Sequence, residues 1–402
     1  MKITNVTTHL LTAQWVDDPW FPQLLHTTAL VEIQTDAKLS GLGEITLGYF
    51  APESVPALVE FFRPMLVGRD PQELTRLARD MFDEAVWWGR NGAGRSVIGG
   101  IEMALWDLLG KALNVPVYQL LGGKVRDRIP VYASGGATCW PKEENIRKVA
   151  FYAERGYRAT KLSTNFYELP KPSASLHQGR LTEVSLPFAS RLEQMVGCFE
   201  LLRKEFGAGM DFAIDGHQGG VPNPIPATEA VQIADALAPF RLRFYEEPLA
   251  YTDVEGYAEL RARSPIPIAG GESLSGLDQF HTFLAAKGFH IIQPDLGFVG
   301  GIQETMRIVH HAEAFNVGTA IHTGASVGPA FAAAWHLAAA SHSVEWLENV
   351  VAARSVQDDL LADDFQVQDG AIGLPQSPGL GVRLSAELLQ KYKFVPGSGE
   401  RT

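Results

Sequence analysis

Asp215, Glu246 and Glu272 each close a short apolar run that reads as a buried strand. The runs are Phe212-Ala213-Ile214-Asp215, Leu242-Arg243-Phe244-Tyr245-Glu246 and Ile266-Pro267-Ile268-Ala269-Gly270-Gly271-Glu272. Two further runs end on Asp295 and His322. Carboxylates delivered to one end of successive parallel strands suit a hard divalent cation such as Mg²⁺, which takes oxygen ligands and keeps positions open for water or substrate. One such acid alone would more simply cap a helix or pair with an arginine. Three in succession, at the same end of consecutive strands, point to Asp215, Glu246 and Glu272 as metal ligands.

The elements that must carry these side chains follow from the hydrophobic rhythm. Apolar segments near 130–134, 158–163, 211–215, 242–246, 266–272, 289–295, 317–322 and 344–348 alternate with helix-length amphipathic stretches. Eight strands separated by helices predict a (β/α) barrel over about 126–365 rather than an open sheet. Residues 1–125 read differently. Alternating strands over 2–13 and 27–35 precede helices near 53–66, 71–86 and 95–113, the pattern of an α+β unit. In the last helix Ile98, Ile101, Leu105, Leu108 and Leu109 share one face, and Asn114-Val115-Pro116 stops it. The loop-rich segment 366–402 is expected to return to this first unit. Residues 164–190, polar and carrying Pro170 and Pro172, form a long insertion after the second barrel strand, read as a lid.

Composition narrows the partners. A net charge of -12 over 402 residues argues against nucleic acid or an anionic membrane surface, and leaves room for a small anionic substrate on a local metal. Two cysteines, Cys139 and Cys198, suit a reducing cytoplasm rather than a disulfide framework. The first residues lack an apolar signal segment, and no run approaches a membrane span, so a soluble cytoplasmic protein is expected.

In order along the chain stand Tyr245-Glu246-Glu247-Pro248, Gly270-Gly271-Glu272-Ser273, Gln293-Pro294-Asp295, Gly300-Gly301-Ile302, Ala320-Ile321-His322-Thr323 and Trp346-Leu347-Glu348. Ile101-Glu102-Met103-Ala104-Leu105-Trp106-Asp107 and Leu120-Leu121-Gly122-Gly123 precede them. This series resembles the enolase superfamily in its mandelate racemase-like branch. The resemblance implies a modified TIM-type (β/α)7β barrel under an α+β cap, a dimer or octamer, and Mg²⁺-assisted removal of a proton α to a carboxylate. It assigns Glu246 rather than Glu247 as the ligand, and strand alternation would turn Glu247 away from the mouth.

The same resemblance makes His322 the base, oriented by Asp295. A carboxylate behind an imidazole sets its tautomer and stabilises the imidazolium formed on proton capture. His217 lies two positions after Asp215, so continued strand geometry would face it toward the metal. Asp-x-His resembles acid-sugar dehydratases of the galactonate and mannonate type, where it supplies an acid for a departing hydroxide. The usual Lys-x-Lys pair reads Lys161-Leu162-Ser163 here, and Ser163, without an evident activating partner, is a poor replacement for a lysine base. Lys161 is read as contacting the substrate carboxylate or the metal shell, or as a structural lysine. Glu348, if protonated, would donate a hydrogen bond to the enediolate.

The expectation is a Mg²⁺-dependent dehydratase of a sugar acid (an aldonate), a lyase giving a 2-keto-3-deoxy acid. A racemase or epimerase, or a non-catalytic metabolite-binding descendant, is the alternative. Trp15-Val16-Asp17-Asp18-Pro19-Trp20-Phe21 and Thr46-Leu47-Gly48-Tyr49-Phe50 fall where substrate-covering loops are expected, and equally suit interface packing; Trp87, Trp88, Arg90 and Trp140 raise the same question.

Overall fold

The structure, a computed structural model, describes residues 1–20, 24–164, 167–168, 182–183, 186–221, 223–324, 326–363 and 365–400. Strands β1 (Ile3–Gln14), β2 (Leu25–Thr35) and β3 (Ser40–Ile45) form an antiparallel meander. Its inner face, including Ile3, Val31, Ile33 and Ile45, is buried against α1 (Val55–Leu66), α2 (Leu74–Glu84) and α3 (Ala93–Leu113). Asn114 ends α3 in the left-handed conformation, where a short polar side chain is tolerated. Ile98, Ile101, Leu105 and Leu108 are buried as the periodicity predicts, and Leu109 is half-buried. Glycine lets β3 and α3 touch: a methyl group at Gly43 would stand 1.8 Å from the Gly100 carbonyl oxygen.

Eight parallel strands close into a barrel. They are β4 (Ile129–Ala137), β5 (Ala159–Ser163), β6 (Asp211–Asp215), β7 (Tyr245–Glu246), β8 (Ile268–Gly270), β9 (Ile291–Ile292), β10 (Gly318–Ile321) and β11 (Val344–Asn349). Each pairs with the next, and β11 returns to β4. Strands β8, β9 and β10 stop before the ends of their apolar runs, because the backbone leaves the ladder early at that part of the mouth, whereas β6 and β7 run to Asp215 and Glu246. Glu272, Asp295 and His322 therefore stand in the first residues of the loops rather than inside strands.

Helices α4 (Lys142–Glu154), α5 (Phe188–Phe206), α6 (Ala227–Leu237), α7 (Val254–Arg263), α8 (Leu277–Ala285), α9 (Ile302–Glu313) and α10 (Pro329–Ala340) wrap the barrel. After β11, the chain pairs Ala371 antiparallel with Pro130, bridges Gly379 to Pro116, and reaches β1 through Leu11 and Lys393. Within 164–190, residues 167–168 and 182–183 form a two-stranded ribbon, and most of the insertion read as a lid lies outside the described residues. Among the described residues, no helix is long and apolar enough to cross a membrane. Cys198 is a buried free thiol.

Two acids fasten the cap to the barrel. Buried Glu44 on β3 accepts the Thr28 hydroxyl and the amides of Val327, Gly328 and Ala330, capping the start of α10. Glu102 on α3 accepts the amides of Ile302 and Gln303 at the start of α9, and the indole N–H of Trp106. Beneath, buried His336 on α10 accepts the Tyr118 amide on Nδ1 at 3.1 Å, and burial pushes its pKa down to about 3.

A stability prediction follows. The neutral imidazole contributes stability in full above the unfolded value near 6.5, and that stability is lost as pH falls toward the folded value. Between pH 7.5 and pH 5 this one group should remove about 2 kcal/mol. His336→Gln, which keeps an acceptor but takes up no proton, should lose correspondingly less in paired denaturant melts. Equal losses in the two proteins would contradict the assignment.

Candidate active site

Register sets the height of the site. Ser163 pairs with Asp215, Asp215 with Glu246, and Glu246 with Ala269, so three adjacent strands end at one level. A strand spacing of about 4.8 Å then brings their last side chains together. Glu272 arrives from the turn after β8, past Gly271 at φ +118°. An isolated parallel bridge between Asp295 and His322 aligns the next two loops.

Lys161 lies at the centre. Its buried ammonium is 2.5 Å from Glu246 Oε1, 3.1 Å from Asp215 Oδ2 and 3.1 Å from Glu348 Oε1. In this structure its ammonium is held by carboxylates of the cluster. Gln293 donates its amide to Glu246 Oε2 at 2.6 Å. Its signal in the sequence was its spacing, two residues before Asp295, which places both on one face.

His322 shares a 2.9 Å hydrogen bond through Nδ1 with Asp295 Oδ2, leaving Nε2 toward Glu272 at 3.4 Å and Glu348 at 3.6 Å. Asp295 Oδ1 accepts the Gly297 amide, which holds the carboxylate in place. Burial works to lower the His322 pKa, but Glu272, Glu348 and Asp295 outweigh it and raise it well above the ordinary value.

His217 reaches the cluster by a different route from the one strand alternation predicts. The strand stops at Asp215, and His217 adopts φ +47°, a left-handed turn stabilised by its amide on Asp215 Oδ1 at 2.9 Å. Its Nε2 sits 3.1 Å from Asp215 Oδ2, and its side chain is 54% exposed toward the mouth. Nδ1 meets Ser163 Oγ at 3.1 Å, so the hydroxyl that lacked an evident partner in the sequence has one across two strands.

Glu247, at φ +39°, is likewise placed by a left-handed residue rather than by pleat alternation. It is buried beside Gly219 and Tyr251, and burial with the Asp215 charge raises its pKa to about 7. Although burial opposes it, Lys161, His322 and the Thr323 amide hold the Glu348 carboxyl down to about 2.

The donor set fits a hard cation. Burial and the neighbouring charges of Asp215, Glu272 and Glu348 raise Glu246 well above the carboxylate range, against the pull of Lys161. Burial and Glu247 raise Glu272 to about 8. Glu272 Oε2 is a buried oxygen with no hydrogen-bond donor among the described residues. Oxygens of Glu246 and Glu272 and a nitrogen of His322 lie within 4.8 Å of one another, and Asp215 and Glu246 are both held by Lys161. Carboxylates this crowded and this poorly compensated call for more positive charge than one lysine supplies.

Several aromatic groups resolve into packing. Trp20 stacks on Trp140 with centroids 6.3 Å apart, meets Phe151, and donates to Glu144, while Asp18 pairs with buried Lys148 at 2.8 Å. These contacts pin the 15–20 segment to α4. Phe50 lies against Phe298, just beyond Asp295. Trp87 is 95% exposed. Phe21 lies outside the described residues.

The molecule is thus a capped parallel barrel with a carboxylate cluster and a histidine–aspartate pair at its mouth. Residues 145–388 match the enolase C-terminal domain-like family, and residues 24–122 match the mandelate racemase / muconate lactonizing enzyme N-terminal domain. The chain belongs to the enolase superfamily, in its mandelate racemase-like branch. It is 33% identical over 405 residues to the D-galactonate dehydratase of Xanthomonas campestris pv. campestris (strain B100), covering 98% of this chain and 95% of that protein. The D-galactonate dehydratase of Ralstonia nicotianae is 32% identical over 404 residues, at 98% and 96% coverage. Among solved structures, the 3,6-anhydro-D-galactonate cycloisomerase of Zobellia galactanivorans is 27% identical with a TM-score of 0.80, at 98% and 99% coverage. An enolase from Agrobacterium radiobacter bound to sodium and L-malate is 28% identical with a TM-score of 0.81, at 98% and 96% coverage.

Proposed function

We propose that this enzyme is a lyase that dehydrates a sugar acid, an aldonate, to a 2-keto-3-deoxy acid through an enediolate. The observation that carries the reading is the pair of histidines flanking one carboxylate cluster, His322 backed by Asp295 and His217 backed by Ser163. The full-length likeness to proteins named D-galactonate dehydratase supports the same class.

Asp215, Glu246 and Glu272 would hold Mg²⁺, which when bound supplies the positive charge that steadies a substrate carboxylate and the negative charge developing on it. His322 Nε2 takes the proton from C2, and the C–H electrons move into the carboxylate to give the enediolate. Asp295 holds the imidazole in the tautomer whose Nε2 is free to accept and stabilises the cation that results. When the electrons return, the C3–oxygen bond breaks, and His217 supplies the proton that lets hydroxide leave as water. The enol then takes a proton at C3 and becomes the ketone.

Ser163 fills the position where a lysine would serve a second face. A hydroxyl bonded to His217 does not provide that second base, which favours loss of water over stereoinversion. The test is a panel of aldonates and related acid sugars incubated with Mg²⁺ and assayed for keto acid with semicarbazide. Keto acid should accumulate from at least one member. Deuterium at C2 of stereoinverted substrate in D₂O, without keto acid, would replace this reading by racemisation.

A further inference from the structure

Arg95 begins α3 and faces a cleft of about 330 Å³ between cap helices α2 and α3 and barrel helix α9. Its side chain is only 14% exposed. The guanidinium lies over the Phe82 ring at 4.4 Å, and Nε donates to the Arg90 carbonyl at 2.9 Å. Among the described residues neither Nη makes a hydrogen bond; the nearest carboxylate, Glu304, is 3.9 Å away. Glu304 is already occupied by Arg307 at 2.6 Å and the Leu277 amide at 3.0 Å. The other acid in the wall, Glu102, is spent on three N–H donors. Guanidinium donors match carboxylate or phosphate oxygens in a planar, paired geometry.

The surroundings suit such a ligand. Arg79, paired with Asp83 at 2.8 Å, and Arg307 stand at the rim, and Ala78, Phe82 and Ile98 supply an apolar wall. Arg95 also braces the two loops that follow Glu272 and Asp295. A methyl group at Gly276 would be 2.8 Å from Nη2, and one at Gly300 would be 3.2 Å from Nη1. An occupant of the cleft would therefore touch the cap and, through Arg95, the backs of both loops.

We propose that this cleft binds a small oxyanion, a phosphate or carboxylate group, on Arg95 with Arg307 and Arg79 at its rim. The site is distinct from the mouth of the barrel and does not depend on which reaction occurs there.

The full chain in EDTA is titrated with sodium phosphate and, in parallel, with malonate, against sodium chloride at matched ionic strength. Calorimetry and the thermal midpoint are the readouts. Phosphate, or both anions, should bind and raise the midpoint, and amide exchange should slow at Gly276–Leu277 and Gly300–Ile302. A response to phosphate alone assigns a phosphate ligand; a response to both assigns the oxyanion generally. Arg95→Met should weaken binding at least about tenfold, the worth of a lost charge-assisted hydrogen bond. Arg307→Met, which also takes from Glu304 its ion pair, should weaken it by a similar factor when each protein is read against its own anion-free midpoint. No response beyond the chloride control, or parental affinity in Arg307→Met, would overturn the proposal and leave Arg95 as a brace between cap and barrel.

Discussion

His322→Asn should lower turnover of the responsive sugar acid by about 10²–10⁴-fold, the range a positioned general base contributes. The expectation rests on the exclusivity of its position. Nε2 is the imidazole nitrogen left over after Nδ1 is committed to Asp295, and it faces the carboxylate cluster rather than solvent. Asparagine keeps the size and a polar contact with Asp295 but cannot take the C2 proton. Mg²⁺ affinity, followed by calorimetry, should stay within a few-fold of the parent, which separates loss of the base from loss of a ligand. Turnover within about tenfold of the parent would remove His322 from the role of base. Loss of Mg²⁺ binding would instead make it a ligand, as its place near Glu246 and Glu272 allows.

Lys161→Met should have the largest effect on stability. The ammonium is buried against Asp215, Glu246 and Glu348, and its removal leaves three carboxylates facing one another with only the histidines to answer them. Breaking a buried ion pair by deleting one partner costs about 3–5 kcal/mol. In EDTA the thermal midpoint should fall accordingly. Added Mg²⁺ should recover more of the loss in the variant than it adds to the parent, because a cation replaces charge the lysine had supplied. A variant as stable as the parent in EDTA would mean that these carboxyls are not ionised together, and the electrostatic account of the site would fail.

Much of the barrel could be read in advance because its cause is local. Apolar runs separated by helix-length stretches specify parallel strands, and an acid at the end of each run goes to the mouth whatever the neighbouring strands do. Asp215, Glu246 and Glu272 were legible for that reason, and so was the spacing of Asp295 and His322. Gln293 carried the same period-two signal and was passed over. Strands β8, β9 and β10 stop earlier than their apolar runs, since that part of the mouth trades ladder hydrogen bonds for loop geometry.

The rest depends on groups far apart in the chain. His217 and Glu247 take left-handed conformations that no alternation rule anticipates, and these conformations, not the pleat, aim their side chains. Ser163 finds His217 only because two strands lie in register, so its partner sits 54 positions away. Lys161 becomes the centre of an ionic cluster only when three strands close around it, and that same lysine lowers the Glu348 pKa. The side-chain types and their order along the chain follow from sequence, because strand ends are set by local pattern. Which of them share a proton, a charge or a hydrogen bond was decided by closure of the barrel and docking of the cap, because those contacts join residues that nothing local brings together.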